Sequence, residues 1–174
     1  MAELPVVEHP DPRLRTAAET VTTFDADLAR FIDDMIETLR AHQVIGLSAQ
    51  QVGDRRRVCI IDPEGDGSSL EVFVNPEIMA RWRTAIVEES CLSIPGIQGN
   101  VFRATRLRLR AQDASGATFI RDLNDMHAVA LQHELDHLGG KLFIDRLNPI
   151  RRLAIGLRTR AKARQSDGDQ HEAA

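Results

Sequence analysis

The stretch LQHELDHL at residues 131–138 decides how the rest of the chain is interpreted. On an α-helix, residues four apart lie on one face, so His133 and His137 point the same way, with Glu134 beside them. Two imidazoles at this spacing can hold one divalent metal, and the neighbouring carboxylate can take a proton from water that the metal activates. The alternative is a charged, solvated turn of helix. Because a catalytic metal site usually needs three protein ligands, another segment must supply the third.

The pattern around this stretch predicts which elements surround it. Asn124 or Asp125 can cap a helix that runs to Leu138, where Gly139 ends it. A second helix is predicted over residues 25–43, whose apolar side chains recur at intervals of three and four. Strands are predicted where hydrophobic residues run together or alternate with polar ones, over 58–61, 70–75, 78–87 and 106–110, with 70–75 and 78–87 as separate antiparallel strands.

The two cysteines, Cys59 and Cys91, lie in different surroundings. Cys59 sits among branched aliphatic residues of the strand 58–61, as a packed and inert thiol does. Cys91 has polar neighbours, and Pro95-Gly96 are predicted to end the strand directly after it. A lone cysteine is usually structural, but a thiolate is what a two-histidine site lacks, so Cys91 is the candidate third ligand. His127 lies on another face of the helix and is not expected to bind the metal.

Length and composition predict one domain with an ordinary hydrophobic core. The chain has 174 residues, of which 43% are hydrophobic and 28% charged. No apolar run approaches the roughly 20 residues of a membrane helix, and the acidic N-terminus predicts neither a secretory signal nor a transit peptide. The formal charge of −4 excludes a global attraction to DNA or RNA, although a local basic patch can still bind an anion.

The C-terminal part supplies such a patch. Asn148-Pro149 predicts a helix start, and six cations without an acid between them follow over residues 151–164. This helix is either a solvated basic face or a site for RNA or another anionic partner. We expect one domain over residues 1–165 and a disordered tail over 166–174.

Three segments in order resemble the motifs of the peptide deformylases: GLSAQQ at 46–51, ESCLS at 89–93 and QHELDH at 132–137. The resemblance covers roughly the first 147 residues, and the basic helix resembles the C-terminal helix of bacterial members. It implies an α+β fold of antiparallel sheets packed around a central, metal-binding helix, with a C-terminal helix. It also implies a bacterial, cytoplasmic enzyme.

The resemblance further implies a reaction and its partners. The enzyme would hydrolyse the formyl group from the N-terminal formylmethionine of nascent polypeptides and release formate. The implied native cofactor is one ferrous ion, with zinc, nickel or cobalt as substitutes. Formylmethionyl peptides and nascent chains are the implied substrates. The ribosome is a further partner that the basic helix could contact.

Site residues follow from the resemblance and from their chemistry. Cys91, His133 and His137 would hold the metal, and Glu134 would act as general base and acid. The Gln51 side chain and the Leu92 backbone N–H would stabilise the oxyanion. The expected substrate-binding residues are Val44, Ile45, Gly46, Val87, Glu89, Ser90, Met126, Val129 and Ala130, of which the apolar members would form the methionine pocket.

Some positions depart from the family pattern. Glycine is usual where this chain has Val44 and Ser90, alanine where it has Ser48, and proline where Phe102 precedes Arg103. The metal ligands, Glu134 and Gln51 are intact. We therefore expect intact chemistry with altered substrate binding, because positions 44 and 90 flank the cleft for the peptide backbone.

Two alternatives remain at this stage. A zinc endopeptidase would take its third ligand downstream, where the candidates are Asp145, His171 and Glu172. A metal-binding paralogue without turnover would instead dock on ribosomes through the basic helix. Intact Glu134 and Gln51 argue against this second alternative, and release of formate would decide it.

Overall fold

A computed structural model describes residues 2–156 of the chain. Within them, antiparallel strands form one sheet in the order β1-β2-β3-β4-β5, and the helices α1 and α2 accompany it, with a further helical segment at 149–156. The predicted α+β class, antiparallel strands with helices, is confirmed. The strands are β1 (Gly46–Ser48), β2 (Val58–Ile61), β3 (Glu71–Cys91), β4 (Ile94–Gln112) and β5 (Thr118–Asn124), and the helices are α1 (Ala26–His42) and α2 (Asp125–Leu138).

Helix α1 forms where the apolar period predicts it. The Asp25 carboxylate accepts hydrogen bonds from the N–H groups of Asp27 and Leu28, which caps the first turn. The helix ends at His42, and the next residue, Gln43, caps it with a left-handed backbone. Its apolar face packs on β1 and β2, with Leu28, Phe31, Ile32, Met35 and Leu39 buried in that cluster.

The prediction of separate strands over 70–75 and 78–87 is wrong, because both segments belong to the single strand β3. The first part of β3 pairs with β2 and the rest pairs with β4. Register shifts lie between Val74 and Glu77 and between Ile78 and Ala80, and Asn75 has a positive φ of 53°. These irregularities bend the strand and let it change partner without turning back.

The turn after Cys91 also differs from the prediction. Strand β3 does end at Cys91, but Leu92 and Ser93 make the turn, and Pro95-Gly96 lie inside β4. The register shifts here, since Ser90 pairs with Gln98 whereas Cys91 pairs with Ile94. Gly96 takes a φ of 75°, which glycine adopts without strain. The thiol of Cys91 is thereby placed at the tip of a long hairpin.

Helix α2 lies against the sheet at the bounds predicted from its caps. Asn124 precedes it, and the N–H of Gly139 closes its last turn on the carbonyls of Leu135, Asp136 and His137. One face packs into the main core with β2, β3 and β4. The buried members of that cluster from the helix are Ala128, Ala130, Leu131 and Leu138.

The N-terminal segment ties distant parts of the fold together through its backbone. The N–H of Val7 donates to the Gln51 carbonyl at 2.7 Å, and that of His9 donates to the Ser93 carbonyl at 2.8 Å. The N–H of Ala18 donates to the last turn of α2, at the Leu138 carbonyl, over 2.9 Å. One segment thus bonds to all three parts of the chain that carry predicted site residues.

The chain after α2 returns towards the hairpin tip. Phe143–Arg146 form a short 3-10 helix, and residues 149–156 are α-helical, with the Asn148 side chain accepting from the Arg151 N–H as a cap. The predicted start of the basic helix is confirmed. Its later cations, the boundary at residue 165 and the tail 166–174 lie outside the described residues. Nowhere in residues 2–156 is a helix long and apolar enough to cross a bilayer.

Candidate active site

Cys91, His133 and His137 come together from two elements. Cys91 ends β3, and the two histidines lie one turn apart in α2, with ring centroids 5.1 Å from each other. One ligand atom from each residue lies within 4.8 Å of the others, and the Cys91 Sγ is 3.2 Å from His137 Nε2. The geometry therefore joins the hairpin tip to the face of the helix that the four-residue spacing predicts.

The chemistry of these three side chains fits a divalent metal. One thiol and two imidazoles are donors that iron, zinc, nickel and cobalt accept. Burial, reinforced by the charge of His133, lowers the pKa of His137 and favours the neutral ring that can bind a metal. Burial alone would lower the pKa of His133 also, but its bonds to Cys91 and Glu89 raise it. This raised pKa indicates surroundings that stabilise positive charge.

Glu134 is fully buried next to these three side chains. Burial is the main cause that raises its pKa to about 7, against the opposing effect of His133. Its Oε2 atom has no hydrogen-bond partner within residues 2–156. Gly46 of β1 lies so close that a Cβ built there would overlap Oε1. A carboxyl group with such a pKa and a free oxygen is suited to proton transfer near neutral pH.

Gln51 lies in a short 3-10 helix, Ala49–Val52, that follows β1. Its Oε1 accepts hydrogen bonds from the backbone N–H of Ser48 at 2.9 Å and from the Ser48 hydroxyl at 3.0 Å. Its Nε2 consequently faces the opposite way and lies 3.6 Å from the Cys91 Sγ. Leu92 follows Cys91 in the turn. Both predicted oxyanion donors therefore border the same space as the thiol.

That space is a cavity of about 330 Å³. It is bordered by His133, Glu134, Cys91, Gln51 and Leu92. Met126 and Ile45 are 45% and 40% exposed, so they stand at its edge. All the predicted substrate-binding residues line it, namely Val44, Ile45, Gly46, Val87, Glu89, Ser90, Met126, Val129 and Ala130.

Glu89 borders this cavity, but its carboxylate is engaged elsewhere. The Arg103 guanidinium donates to it from Nε at 2.5 Å and from a terminal nitrogen at 2.8 Å. The same carboxylate is 2.9 Å from His133 Nδ1. Burial would raise the pKa of Glu89, but Arg103 and His133 hold it below its ordinary value. The side chain orients a histidine, and only the backbone of Glu89 remains for a substrate.

Arg103 is a functional candidate that sequence reasoning missed. Its side chain is 1% exposed and also donates to Asp136 at 2.7 Å, and Asp136 in turn accepts from Arg146. A signal was present, since Arg103 falls on the inward-facing side of β4 together with Val101 and Leu107. Ser48 and Phe143 were also missed; the Phe143 ring stacks on His133 with centroids 6.1 Å apart.

A groove extends from the cavity towards residues 151–155. It shares Val44, Ser90 and Leu92 with the cavity and continues along Ile94–Gln98. The two positions that depart from glycine thus stand where cavity and groove meet. A further groove of about 750 Å³, which includes Arg57 and Trp82, lies on the other side of α2 and touches none of Cys91, His133 and His137.

The site defines a class of protein, the metal-dependent hydrolases. Its features are a helix with paired histidines and a buried glutamate, a neighbouring thiol, and an adjoining cavity. Comparisons with known proteins narrow the class to one family. The family model described as "Polypeptide deformylase" matches residues 3–153. The chain belongs to the polypeptide deformylase family.

Individual relatives agree with this assignment. A peptide deformylase of Hahella chejuensis is 44% identical over 156 residues, which are 89% of this chain and 93% of that one. A Shewanella oneidensis protein named "Peptide deformylase 1" is 42% identical over 95% of this chain and 98% of that one. A crystal structure from Legionella pneumophila, of a peptide deformylase, has a TM-score of 0.87 at 37% identity and covers 95% of this chain and 98% of that one.

The predicted activity, that of a peptide deformylase, is confirmed at the level of the family. Neither the zinc endopeptidase nor the paralogue without turnover receives support from these comparisons. Of the alternative downstream ligands, Asp145 is engaged with Arg15 and with the N–H of Leu142. His171 and Glu172 lie outside the described residues.

Proposed function

We propose that this chain removes the formyl group from the N-terminal formylmethionine of nascent polypeptides, with Cys91, His133 and His137 as ligands of one divalent metal. We expect ferrous iron as the native ion, with zinc, nickel or cobalt as substitutes, because all accept nitrogen and sulfur ligands. When bound, the metal supplies a water of lowered pKa as nucleophile. The observation that carries the proposal is the approach of three ligand atoms to within 4.8 Å beside Glu134.

Glu134 takes the proton from the attacking water and returns it to the amine that leaves. The C–N bond of the formamide breaks in that step, and the products are formate and a free α-amine. The Gln51 Nε2 and the Leu92 N–H donate to the negatively charged oxygen that forms on the formyl carbon. Because these groups are fixed before the reaction, they need little rearrangement when charge develops.

The cavity of about 330 Å³ takes the methionine side chain against Val129, Ala130 and Ile45. The groove past Val44 and Ser90 then takes the residues after methionine. A formyl carbon carries only hydrogen besides its nitrogen and oxygen, so it can approach this narrow site. An internal peptide bond carries a bulky chain on both sides, which excludes it.

Formate release from a short formylmethionyl peptide tests the proposal. Glu134→Ala should keep the metal by elemental analysis and lose turnover by about 10²-fold or more, because it removes proton transfer. Cys91→Ala should lose the metal itself. A Cys91→Ala protein that holds one tightly bound metal would exclude that residue as a ligand, and full turnover by Glu134→Ala would exclude the carboxylate as the base.

For the ribosome as a partner, the support is the run of cations after Pro149. A cytoplasmic location is proposed with it, because nascent chains are the proposed substrates. Ile155 is buried against the fold, so charge replacement is a cleaner test than deletion of the helix. Arg158, Arg160, Lys162 and Arg164 are replaced by Gln, and co-sedimentation with ribosomes is followed as salt increases. Binding that is weakened and less dependent on salt is expected. Unchanged co-sedimentation would exclude these four cations as the ribosome contact.

A further inference from the structure

We propose that Ser48 is a positioning residue for deformylation, whose hydroxyl fixes the plane of the Gln51 carboxamide so that Nε2 points at the reacting formyl group. The proposal rests on the proposed role of Gln51 as an oxyanion donor. Ser48 ends β1 and is 0% exposed, so its hydroxyl has no access to bulk water.

The carboxamide oxygen of Gln51 accepts hydrogen bonds from two donors of the same residue. Gln51 Oε1 accepts from the Ser48 backbone N–H at 2.9 Å and from the Ser48 Oγ at 3.0 Å. A carbonyl oxygen has two lone pairs, and both are used here by one residue. The backbone N–H can only donate, so it selects the oxygen end of the carboxamide over the nitrogen end.

These two hydrogen bonds also restrict rotation of the Gln51 carboxamide. The last torsion of a glutamine side chain is broad, and a single hydrogen bond leaves the plane free to swing about it. A second donor in a different direction removes this freedom. The Nε2 then stays on the side of the Cys91 Sγ, 3.6 Å away, where it borders the cavity. The Ser48 backbone N–H alone would determine which end of the carboxamide faces Ser48. The Ser48 hydroxyl in addition fixes the direction of the Nε2–H bonds.

Loss of the Ser48 hydroxyl should affect the rate of the chemical step more than substrate binding. A donor to a developing oxyanion acts mainly in the transition state, so misdirecting it lowers kcat more than it raises KM. Ser48→Ala should therefore lower kcat about fivefold with little change in KM and with normal metal content. The substitution also leaves the second lone pair of Gln51 Oε1 buried without a donor, which costs some stability but does not remove the backbone bond.

A double-mutant cycle on zinc-loaded protein tests this inference, with formate release from a short formylmethionyl peptide as the readout. The proteins are the parent, Ser48→Ala, Gln51→Ala and the double variant. The Ser48 hydroxyl also lies close enough to Glu134 to act on its pKa, so the cycle separates the two routes. If Ser48 acts through Gln51, its loss should slow the parent and leave Gln51→Ala almost unchanged, whereas an effect through Glu134 would persist in Gln51→Ala. Ser93→Ala is the control, since Ser93 is equally buried and its hydroxyl has no hydrogen-bond partner within residues 2–156.

A second readout does not depend on turnover. The Gln51 side-chain amide signal is assigned in ¹⁵N-labelled zinc protein by its loss in Gln51→Ala. It should be sharp in the parent and broadened or shifted in Ser48→Ala, and melting curves should show both proteins folded. Equal kcat in parent and Ser48→Ala, an unmoved amide signal, or an undiminished effect in the Gln51→Ala background would each overturn the inference. Parent-like turnover by Gln51→Ala would overturn the proposed role of Gln51 as well.

Discussion

At the scale of single residues, the contact between Gly46 and Glu134 sets the position of the carboxylate. A Cβ at position 46 would overlap Oε1 and lie 3.0 Å from the carboxyl carbon. Both elements at this contact are buried and packed, so neither can move away freely. The absence of a side chain at Gly46 is therefore a requirement for the orientation of Glu134.

Gly46→Ala should displace this carboxylate and lower kcat by about tenfold or more, because proton transfer depends on hydrogen-bond reach. The metal should remain bound, since no ligand is changed. Formate release and elemental analysis measure the two effects. Gly156→Ala is the matched control, as a Cβ there meets nothing within 4 Å among the described residues. Parent-like kcat in Gly46→Ala would show that the carboxylate tolerates displacement.

The spacing of histidines on a helix is a local property, so the sequence alone indicated His133, His137 and Glu134. Contacts between side chains from distant segments could not be predicted from the sequence in the same way. Arg103 reaches Asp136 across 33 residues, and only the fold shows that they meet. The Ser48 hydroxyl, three residues from Gln51, was missed for another reason: its role depends on a side-chain torsion that no sequence pattern specifies.

At the scale of elements, buried ion pairs hold α2 against β3 and β4. Arg103 of β4 bonds to Glu89 of β3 and to Asp136 of α2, and the side chains of all three are less than 10% exposed. Asp136 also pairs with Arg146, whose side chain is 43% exposed. One guanidinium therefore joins three elements and supports the carboxylate that contacts His133.

Arg103→Leu should lower the free energy of unfolding by about 3–5 kcal/mol, since two buried carboxylates lose a partner. Metal affinity should fall by about tenfold or more, because Glu89 no longer holds His133 in place. Denaturant unfolding and metal competition measure these effects. The control is Arg146→Gln, which removes a partly exposed pair and should cost about 1 kcal/mol or less. If both variants lost the same free energy of unfolding, the loss in Arg103→Leu could not be assigned to its buried carboxylate partners.

The bounds of α1 and α2 were predictable because each helix carries its own period and caps. The continuity of strand β3 was not predictable. A bulge and a turn each interrupt the alternation of apolar and polar residues over one or two positions, so the sequence does not distinguish them. The interruption around Pro76 looks the same in either case, and pairing with β2 and β4 decides between them. Likewise, Pro95 and Gly96 lie inside β4, where the sequence predicted the end of a strand.

At the scale of the whole molecule, the N-terminal segment and the chain after α2 are joined by the ion pair of Arg15 and Asp145. Burial alone would raise the pKa of Asp145, but the bonds from Arg15 and the Leu142 N–H hold it below its ordinary value of 3.8. The folded carboxyl thus keeps its charge to lower pH than the unfolded one. Its contribution to stability is present above pH 3.8 and is lost as pH falls through the lowered pKa.

Asp145→Asn should reduce the melting temperature at neutral pH, and the difference from the parent should vanish in acid. The contribution is about 1 kcal/mol or less, because both partners are partly exposed. Melting is followed from about pH 7 down to about pH 2 on protein freed of metal, so that metal release does not contribute and the difference can be seen to narrow below pH 3.8. A difference that persists at the acidic end would assign the effect to packing instead of charge.

The hairpin tip and α2 are far apart along the chain, and this separation has a consequence for the unfolded ensemble. Cys91 and His137 are separated by 46 residues, so an ion held by both closes a loop of that size. By the chain-entropy relation for a permanent cross-link, closing a loop of this size raises the free energy of unfolding by about 4 kcal/mol. Because the ion binds reversibly, its stabilisation also depends on metal concentration. Chelation should therefore lower the free energy of unfolding and speed deuterium uptake by every amide that exchanges through global unfolding, including the buried amides of α1. Amides at residues 90–94 should speed up most, because they also lose a local restraint.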